Sequence, residues 1–313
     1  MGEGAVRSAL FVDHETRRRR RRRRLRFLVL AVAIWAALNG LAAAVLLHPR
    51  WVASYLHFED LAPPGGVGPR EQVFHAITSD GLKIVGSEYA PEDPRGVVLL
   101  FHGYGGTRFR RLARVVAEWG YAAIAIDFRA HGESEGERTT IGLLERLDVE
   151  ATAAEARAKR PGLPIAAWGL SLGGAAIVYA GETTRTFDAL VLEAVYADWD
   201  SAFWIRAKRG LPGPLSALAY PAKVLAEKAA GLDPERMRPA EAVRALDPTR
   251  LLLVGGGADR LCPPENLAAL AAAAPGAQVK TIAGADHHDL WTVGGAAYLE
   301  EVRAFLAQRF RRR

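Results

Sequence analysis

A chain of 313 residues can bury a full hydrophobic core but is too short for two large domains, so one globular domain with an appendage is expected. Its formal charge of +6 is concentrated at the start. Residues 1–26 carry ten Arg and three acidic side chains, which leaves 31 basic and 32 acidic residues elsewhere and excludes a basic, nucleic-acid-binding body. The single Cys262 excludes an intramolecular disulfide, and no Cys/His spacing suits a structural zinc site.

The segment from Phe27 to Leu47 reads FLVLAVAIWAALNGLAAAVLL, without a charge and with Asn39 as its one strongly polar residue. At ~1.5 Å per residue it spans about 30 Å, the thickness of a bilayer's hydrocarbon core, so a transmembrane helix is expected over 27–47. Arg17 to Arg24 and Arg26 flank its start, while His48 and Arg50 follow its end. The positive-inside rule therefore places the basic segment 1–26 in the cytoplasm and the rest outside. A cleaved signal peptide is the competing reading, but its apolar core would be shorter, about 7 to 15 residues.

The Pro- and Gly-rich stretch near Ala62 to Pro69 marks a linker over 48–69, and a globular domain is expected over 70–313. Gln72 to Thr78 and Leu82 to Tyr89, joined at Ser79-Asp80-Gly81, predict an opening hairpin. Short apolar runs follow at Val97 to Phe101, Ala122 to Ile126, Ile165 to Trp168, Ala189 to Leu192, Leu251 to Val254 and Gln278 to Ile282. Strands apolar on both faces suit a parallel sheet covered on both sides. Helical patterns lie between them, over Phe109 to Trp119 and over Ile141 to Lys159 behind the caps Thr139 and Thr140, so the class is α/β and doubly wound. Alternation lapses between Leu192 and Leu251. A loop of that length is implausible in a compact domain, so a helical cap insertion is expected over about 198–245, with Trp199, Phe203, Trp204, Leu211, Leu215 and Tyr220 either lining a pocket or holding the insertion down.

Chemistry concentrates at Trp168-Gly169-Leu170-Ser171-Leu172-Gly173-Gly174, a G-x-S-x-G pattern between a strand and a helix. A nucleophile elbow needs small neighbours so that strand and helix can approach, and it leaves the Ser171 hydroxyl exposed at the strand's end. A serine hydroxyl is a poor nucleophile at neutral pH and needs a base, which in turn needs an orienting carboxylate. Asp259 follows Gly255-Gly256-Gly257-Ala258, and His287 follows Gly284-Ala285-Asp286, giving the chain order Ser, Asp, His. His288 remains an alternative base and Asp198 an alternative acid.

On these motifs the chain resembles the alpha/beta-hydrolase superfamily, particularly its single-pass membrane-anchored serine hydrolases, over roughly Val73 to Phe310. Two further stretches carry the resemblance: the oxyanion loop His102-Gly103-Tyr104-Gly105-Gly106, and Asp127-Phe128-Arg129-Ala130-His131-Gly132-Glu133-Ser134. The resemblance implies an eight-stranded, mostly parallel sheet with a helical cap. It also implies backbone N–H groups of Tyr104 and Leu172 as oxyanion donors, with His102, His131 and Asp127 as braces.

The activity so implied is a serine hydrolase that cleaves a carboxylic ester or related acyl bond through an acyl-enzyme. A small-molecule or lipid-derived ester is the expected substrate and the bilayer the expected partner through 27–47, with no nucleic acid, cofactor or metal. Peptidase, thioesterase and acyltransferase activity on the same triad stay open, as does a catalytically silent binding protein. The consecutive His287, His288 and Asp289 lack the spacing that would turn them onto one metal ion.

Overall fold

The computed structural model describes residues 3–53, 69–211 and 213–311. Among them eight strands form one sheet: β1 (Gln72–Ile77), β2 (Lys83–Tyr89), β3 (Val97–Phe101), β4 (Ala122–Ile126), β5 (Ile165–Leu170), β6 (Ala189–Glu193), β7 (Leu251–Gly256) and β8 (Gln278–Ile282). Their spatial order is β1-β2-β4-β3-β5-β6-β7-β8. The β1–β2 and β2–β4 pairs are antiparallel and the remaining pairs parallel. This is the expected α/β architecture.

Successive residues of a strand face opposite sides, and here both sides are covered. Val97, Leu99 and Phe101 of β3 pack into one hydrophobic cluster with helices Glu145–Lys159 and Leu172–Tyr179. Val98 and Leu100 pack into the other, with helices Arg110–Glu118 and Leu290–Phe310. Each side chain so buried contributes roughly 1.5–3 kcal/mol. The exceptions are the two edge strands: β1 leaves Val73, His75 and Ile77 exposed on one face, and β8 is largely exposed.

One helix starts later than its sequence suggests. The pattern predicts a start at Ile141, but Ile141 and Gly142 both have positive φ (55° and 109°), and the helix begins at Glu145. Thr139 and Thr140 do not cap it. Their hydroxyls, with the Thr140 and Gly142 N–H groups, instead donate to the buried Glu145 carboxylate, which organises the turn from inside.

Between β6 and β7 the chain forms helices Trp199–Gly210 and Tyr220–Ala230, joined by a 3-10 turn over Gly213–Ala219. Asp198 caps the first of them by accepting the Ser201 N–H at 2.8 Å. The insertion meets the N-terminal helix, Glu3–Leu47, which is long and apolar enough over Arg17–Leu47 to cross a membrane. That helix does not stand clear of the domain. Trp35 Nε1 donates to the Leu218 carbonyl at 3.1 Å, Asn39 Oδ1 accepts the Ala222 N–H at 3.1 Å, and Ala43 and Leu47 bury against Ala226. Its last carbonyl, on Leu47, accepts the Thr139 N–H at 2.9 Å, and Arg50 beyond it donates to the Gly136 carbonyl at 2.9 Å. Most of the expected linker 48–69 lies outside the described residues.

Candidate active site

The elbow shows why its glycines are required. Ser171 takes φ 53° and ψ −112°, a backbone conformation costing of order 1–3 kcal/mol for a residue with a side chain. Its N–H is tied to the Glu193 carbonyl of β6 at 2.7 Å, which holds the turn in place. A Cβ on Gly169 would lie 2.5 Å from the Gly173 carbonyl carbon, and one on Gly173 would lie 2.3 Å from the Phe101 carbonyl oxygen. A Cβ on Gly174 would meet Val195 at 2.3 Å. Strand and helix can approach this closely only because all three lack a side chain.

The loops after β7 and β8 bring the other two residues to the same end of the sheet. His287 Nε2 lies 3.0 Å from Ser171 Oγ, and His287 Nδ1 lies 2.8 Å from Asp259 Oδ2. Asp259 Oδ1 is spoken for separately, since it accepts the N–H groups of Leu261 and Cys262 at 2.8 and 2.7 Å. Those bonds fix the carboxylate plane and leave Oδ2 for the imidazole. Burial opposes a charge on His287, but Cys262 and the Asp259 carboxylate favour it and raise its pKa to about 9. The alternatives are placed elsewhere. His288 packs edge-on against His287, at 4.7 Å between ring centroids, and burial followed by the charge of His287 pushes its pKa down to about 4. Asp198 is occupied as a helix cap and lines a separate cleft.

Opposite Ser171 runs the loop from His102 to Gly106. His131 Nε2 accepts the Gly105 N–H at 3.1 Å and the Gly106 N–H bonds the Gly103 carbonyl at 3.1 Å, so Tyr104 is held from its C-terminal side. His102 Nε2 accepts the Phe128 N–H at 3.0 Å, and burial lowers the pKa of both histidines, keeping them neutral braces. Asp127 accepts the N–H groups of Arg108 and Glu133 and pairs with the Arg108 guanidinium at 2.9 Å. The Tyr104 hydroxyl, which burial keeps protonated with its pKa near 12, donates to the Val45 carbonyl of the N-terminal helix at 2.8 Å.

Above these groups lies a cavity of about 320 Å³ whose wall includes Leu46, Tyr104, Leu170, Trp199, Arg206 and Trp291. Ser171, Leu172, His287 and His288 reach into it. Of the insertion's aromatics, Trp199 lines the cavity and also donates to Glu227 at 2.7 Å, while Leu215 and Tyr220 are exposed on the outer surface. Phe203 and Trp204 instead pack against the core and hold the insertion down, so Trp199 takes the first of the two expected roles, these two the second, and exposed Leu211, Leu215 and Tyr220 neither.

Sequence reasoning missed Glu193. This buried carboxylate ends β6, accepts both Trp291 Nε1 (3.0 Å) and the Tyr298 hydroxyl, and has its pKa raised by burial to about 7. Its carbonyl holds Ser171, and its side chain holds the helix that follows His287, so one residue braces both halves of the site. A lone Glu closing the apolar run Ala-Leu-Val-Leu was the available signal. Leu46 carried none, because its helix reads as a separate span.

Residues 92–239 match the sequence family described as "Serine aminopeptidase, S33". A monoacylglycerol lipase of Mycolicibacterium smegmatis is 32% identical over 163 residues, covering 50% of this chain and 54% of the lipase. The human monoglyceride lipase is 31% identical over 130 residues, covering 40% of this chain and 43% of the lipase. The chain therefore spans about half the length of the curated relatives it matches. Among solved structures, the esterase Pf2001 of Pyrococcus furiosus superposes with a TM-score of 0.62 at 22% identity, covering 79% of this chain and 99% of the esterase. A malate-bound thermophilic esterase of Thermogutta terrifontis does so with 0.57 at 20% identity, covering 76% and 99%. At these identities the structures speak for the fold.

Proposed function

We propose that the chain is an alpha/beta-hydrolase of the serine type that cleaves a carboxylic ester, with a lipid-derived monoacyl ester as its substrate. The observation that carries this reading is the row of bonds from Ser171 through His287 to Asp259, at 3.0 and 2.8 Å, set under a mostly apolar cavity. The lipase relatives support the substrate class.

In the proposed reaction the Ser171 Oγ attacks the ester carbonyl carbon while His287 Nε2 takes its proton. Asp259 holds Nδ1–H and stabilises the imidazolium that forms. The carbonyl electrons move onto oxygen, where the N–H groups of Tyr104 and Leu172 donate to the oxyanion. Each such donor contributes about 3 kcal/mol in comparable sites. Leu172 opens a helix, whose positive end adds to the same field. Collapse of the intermediate expels the alcohol, protonated by His287. Water, activated by the same imidazole, then releases the acid and restores Ser171.

The cavity wall supports an acyl chain better than a peptide, since Leu46, Leu170, Trp199 and Trp291 offer few partners for peptide N–H and carbonyl groups. In the same reading the N-terminal helix over 27–47 anchors the chain, with residues 1–26 cytoplasmic and the domain 70–313, including its cap at about 198–245, outside. The arginine flank supports that orientation.

A fluorophosphonate probe tests the chemistry: wild-type protein should label and Ser171→Ala should not. Equal labelling of both would refute covalent serine catalysis. Turnover of acyl esters of varied length beside peptide and thioester controls decides the substrate class, and preferential cleavage of a peptide would replace the ester reading. A reporter fused after Arg313 should be active outside the cytoplasm.

A further inference from the structure

The N-terminal helix and the insertion share a surface, and its position follows from how they dock. Contact runs from Trp35 to Leu47, which at ~1.5 Å per residue is about 18 Å, more than half of a hydrocarbon core of about 30 Å. A helix crossing a bilayer over 27–47 therefore carries Leu218, Ala222 and Ala226 of the insertion down beside its outer half.

The composition of the insertion fits that depth. No charged residue occurs from Gly210 to Ala222, and Leu215, Leu218, Tyr220 and Leu225 are about half exposed. Leu225 lies three residues beyond Ala222 on its helix, so it flanks the face that meets the N-terminal helix. On the membrane helix, Phe27, Leu28, Leu38 and Leu41 are exposed in the same way. Asn39, the polar exception, is only 6% exposed and is turned onto the Ala222 N–H, as expected where the alternative is lipid. Exposed Lys208 and Arg209 stand just before the uncharged stretch, where anionic headgroups would meet them.

We propose that this joint surface, the helix over 27–47 with Leu215, Leu218, Tyr220 and Leu225 of the insertion, sits in the outer leaflet of a bilayer and delivers the ester to the Ser171 cavity from lipid rather than from water. Leu46 ties the two together, because it belongs to the docked helix and to the cavity wall. The delivery half of this inference rests on the hydrolase reading; the immersion half does not.

The test uses the full chain in vesicles of phosphatidylcholine and phosphatidylglycerol. Nitroxide labels on Leu215→Cys, Leu218→Cys and Leu225→Cys should relax with dissolved oxygen in preference to a water-soluble nickel chelate. A label on Glu182→Cys, before β6 at the opposite end of the sheet, should show the reverse; Cys262 is buried and stays unlabelled. Nickel preference at all four sites overturns immersion. Spin–spin broadening that grows with protein-to-lipid ratio would overturn it in favour of a second copy on this face. For delivery, Leu218→Glu with Leu225→Glu should lower turnover of a vesicle-borne monoacylglycerol about tenfold, the equivalent of losing one buried leucine, while hydrolysis of soluble p-nitrophenyl acetate is unchanged. Equal loss on both esters overturns delivery from lipid. If the wild type turns over neither ester, the hydrolase reading fails, while the spin labels still decide immersion.

Discussion

Ser171, Asp259 and His287 each follow closely on the end of β5, β7 or β8, whereas the facing cavity wall is drawn from Leu46, Trp199 and Arg206, which lie on two helices far apart in the chain. The first group is held by the sheet's continuous ladder and by backbone bonds such as Ser171 N–H to Glu193 and Leu261 N–H to Asp259. The second is held by scattered contacts of the N-terminal helix: Trp35 to the Leu218 carbonyl, Asn39 to the Ala222 N–H, Val45 to the Tyr104 hydroxyl, and Ala43 and Leu47 packed on Ala226. A ladder shares any displacement among many bonds; an isolated side-chain contact does not. On the proposed reading, chemistry is thereby placed on the stiffer half of the site, and the wall that would meet a substrate on the half able to vary.

The sharpest way to break that contrast is to disable the stiff half. His287→Ala should reduce ester turnover on the order of 10⁴-fold or more, and adding Ser171→Ala should cost little further because the residues act as one unit. His288→Ala should stay within a few-fold of wild type. Steady-state kinetics on one soluble ester reads all three, and losses that multiply would mean the two residues work separately.

Next comes the packing beneath the nucleophile. Gly173→Ala forces a Cβ against the Phe101 carbonyl, backbone that cannot rotate away, and should cost roughly 3 kcal/mol in urea unfolding. An unchanged midpoint would show that strand and helix part more freely than their contact implies.

Glu193 offers a graded test of the brace between the two halves of the triad. Its folded pKa of about 7 stands above the ordinary 4.5, so the folded state holds the proton more tightly than the unfolded chain does. Stability should decline as pH climbs from 4.5 through about 7 and level off above it, and Glu193→Gln should remove that part of the slope. Parallel melting curves of wild type and variant would place the descent in another group if they keep the same pH dependence.

The smallest effect is expected on the variable wall. Tyr104→Phe removes the bond to Val45 and should lower stability by about 1 kcal/mol. Ser171 should still accept a fluorophosphonate, since the Tyr104 N–H remains. Loss of labelling would mean that the helix governs the oxyanion loop more tightly than one bond suggests.

The sheet was legible in the sequence because its runs are short, apolar and regularly punctuated, and a parallel strand buried on both faces leaves that trace. The elbow was legible for a local reason as well: the contacts that exclude a Cβ at 169, 173 and 174 lie within a strand, a turn and a helix, together with the neighbouring strand ends. Asp259 and His287 could be singled out by chain order, but His288 and Asp198 remained rivals until the fold turned His287 between Ser171 and Asp259 and committed Asp198 to a helix cap. The role of Leu46 in the cavity wall and the double duty of Glu193 were beyond any local pattern. Both depend on residues more than ninety positions apart being brought together, and the hydrophobic and hydrogen-bonding forces that do so act on proximity in space and leave no periodicity along the chain.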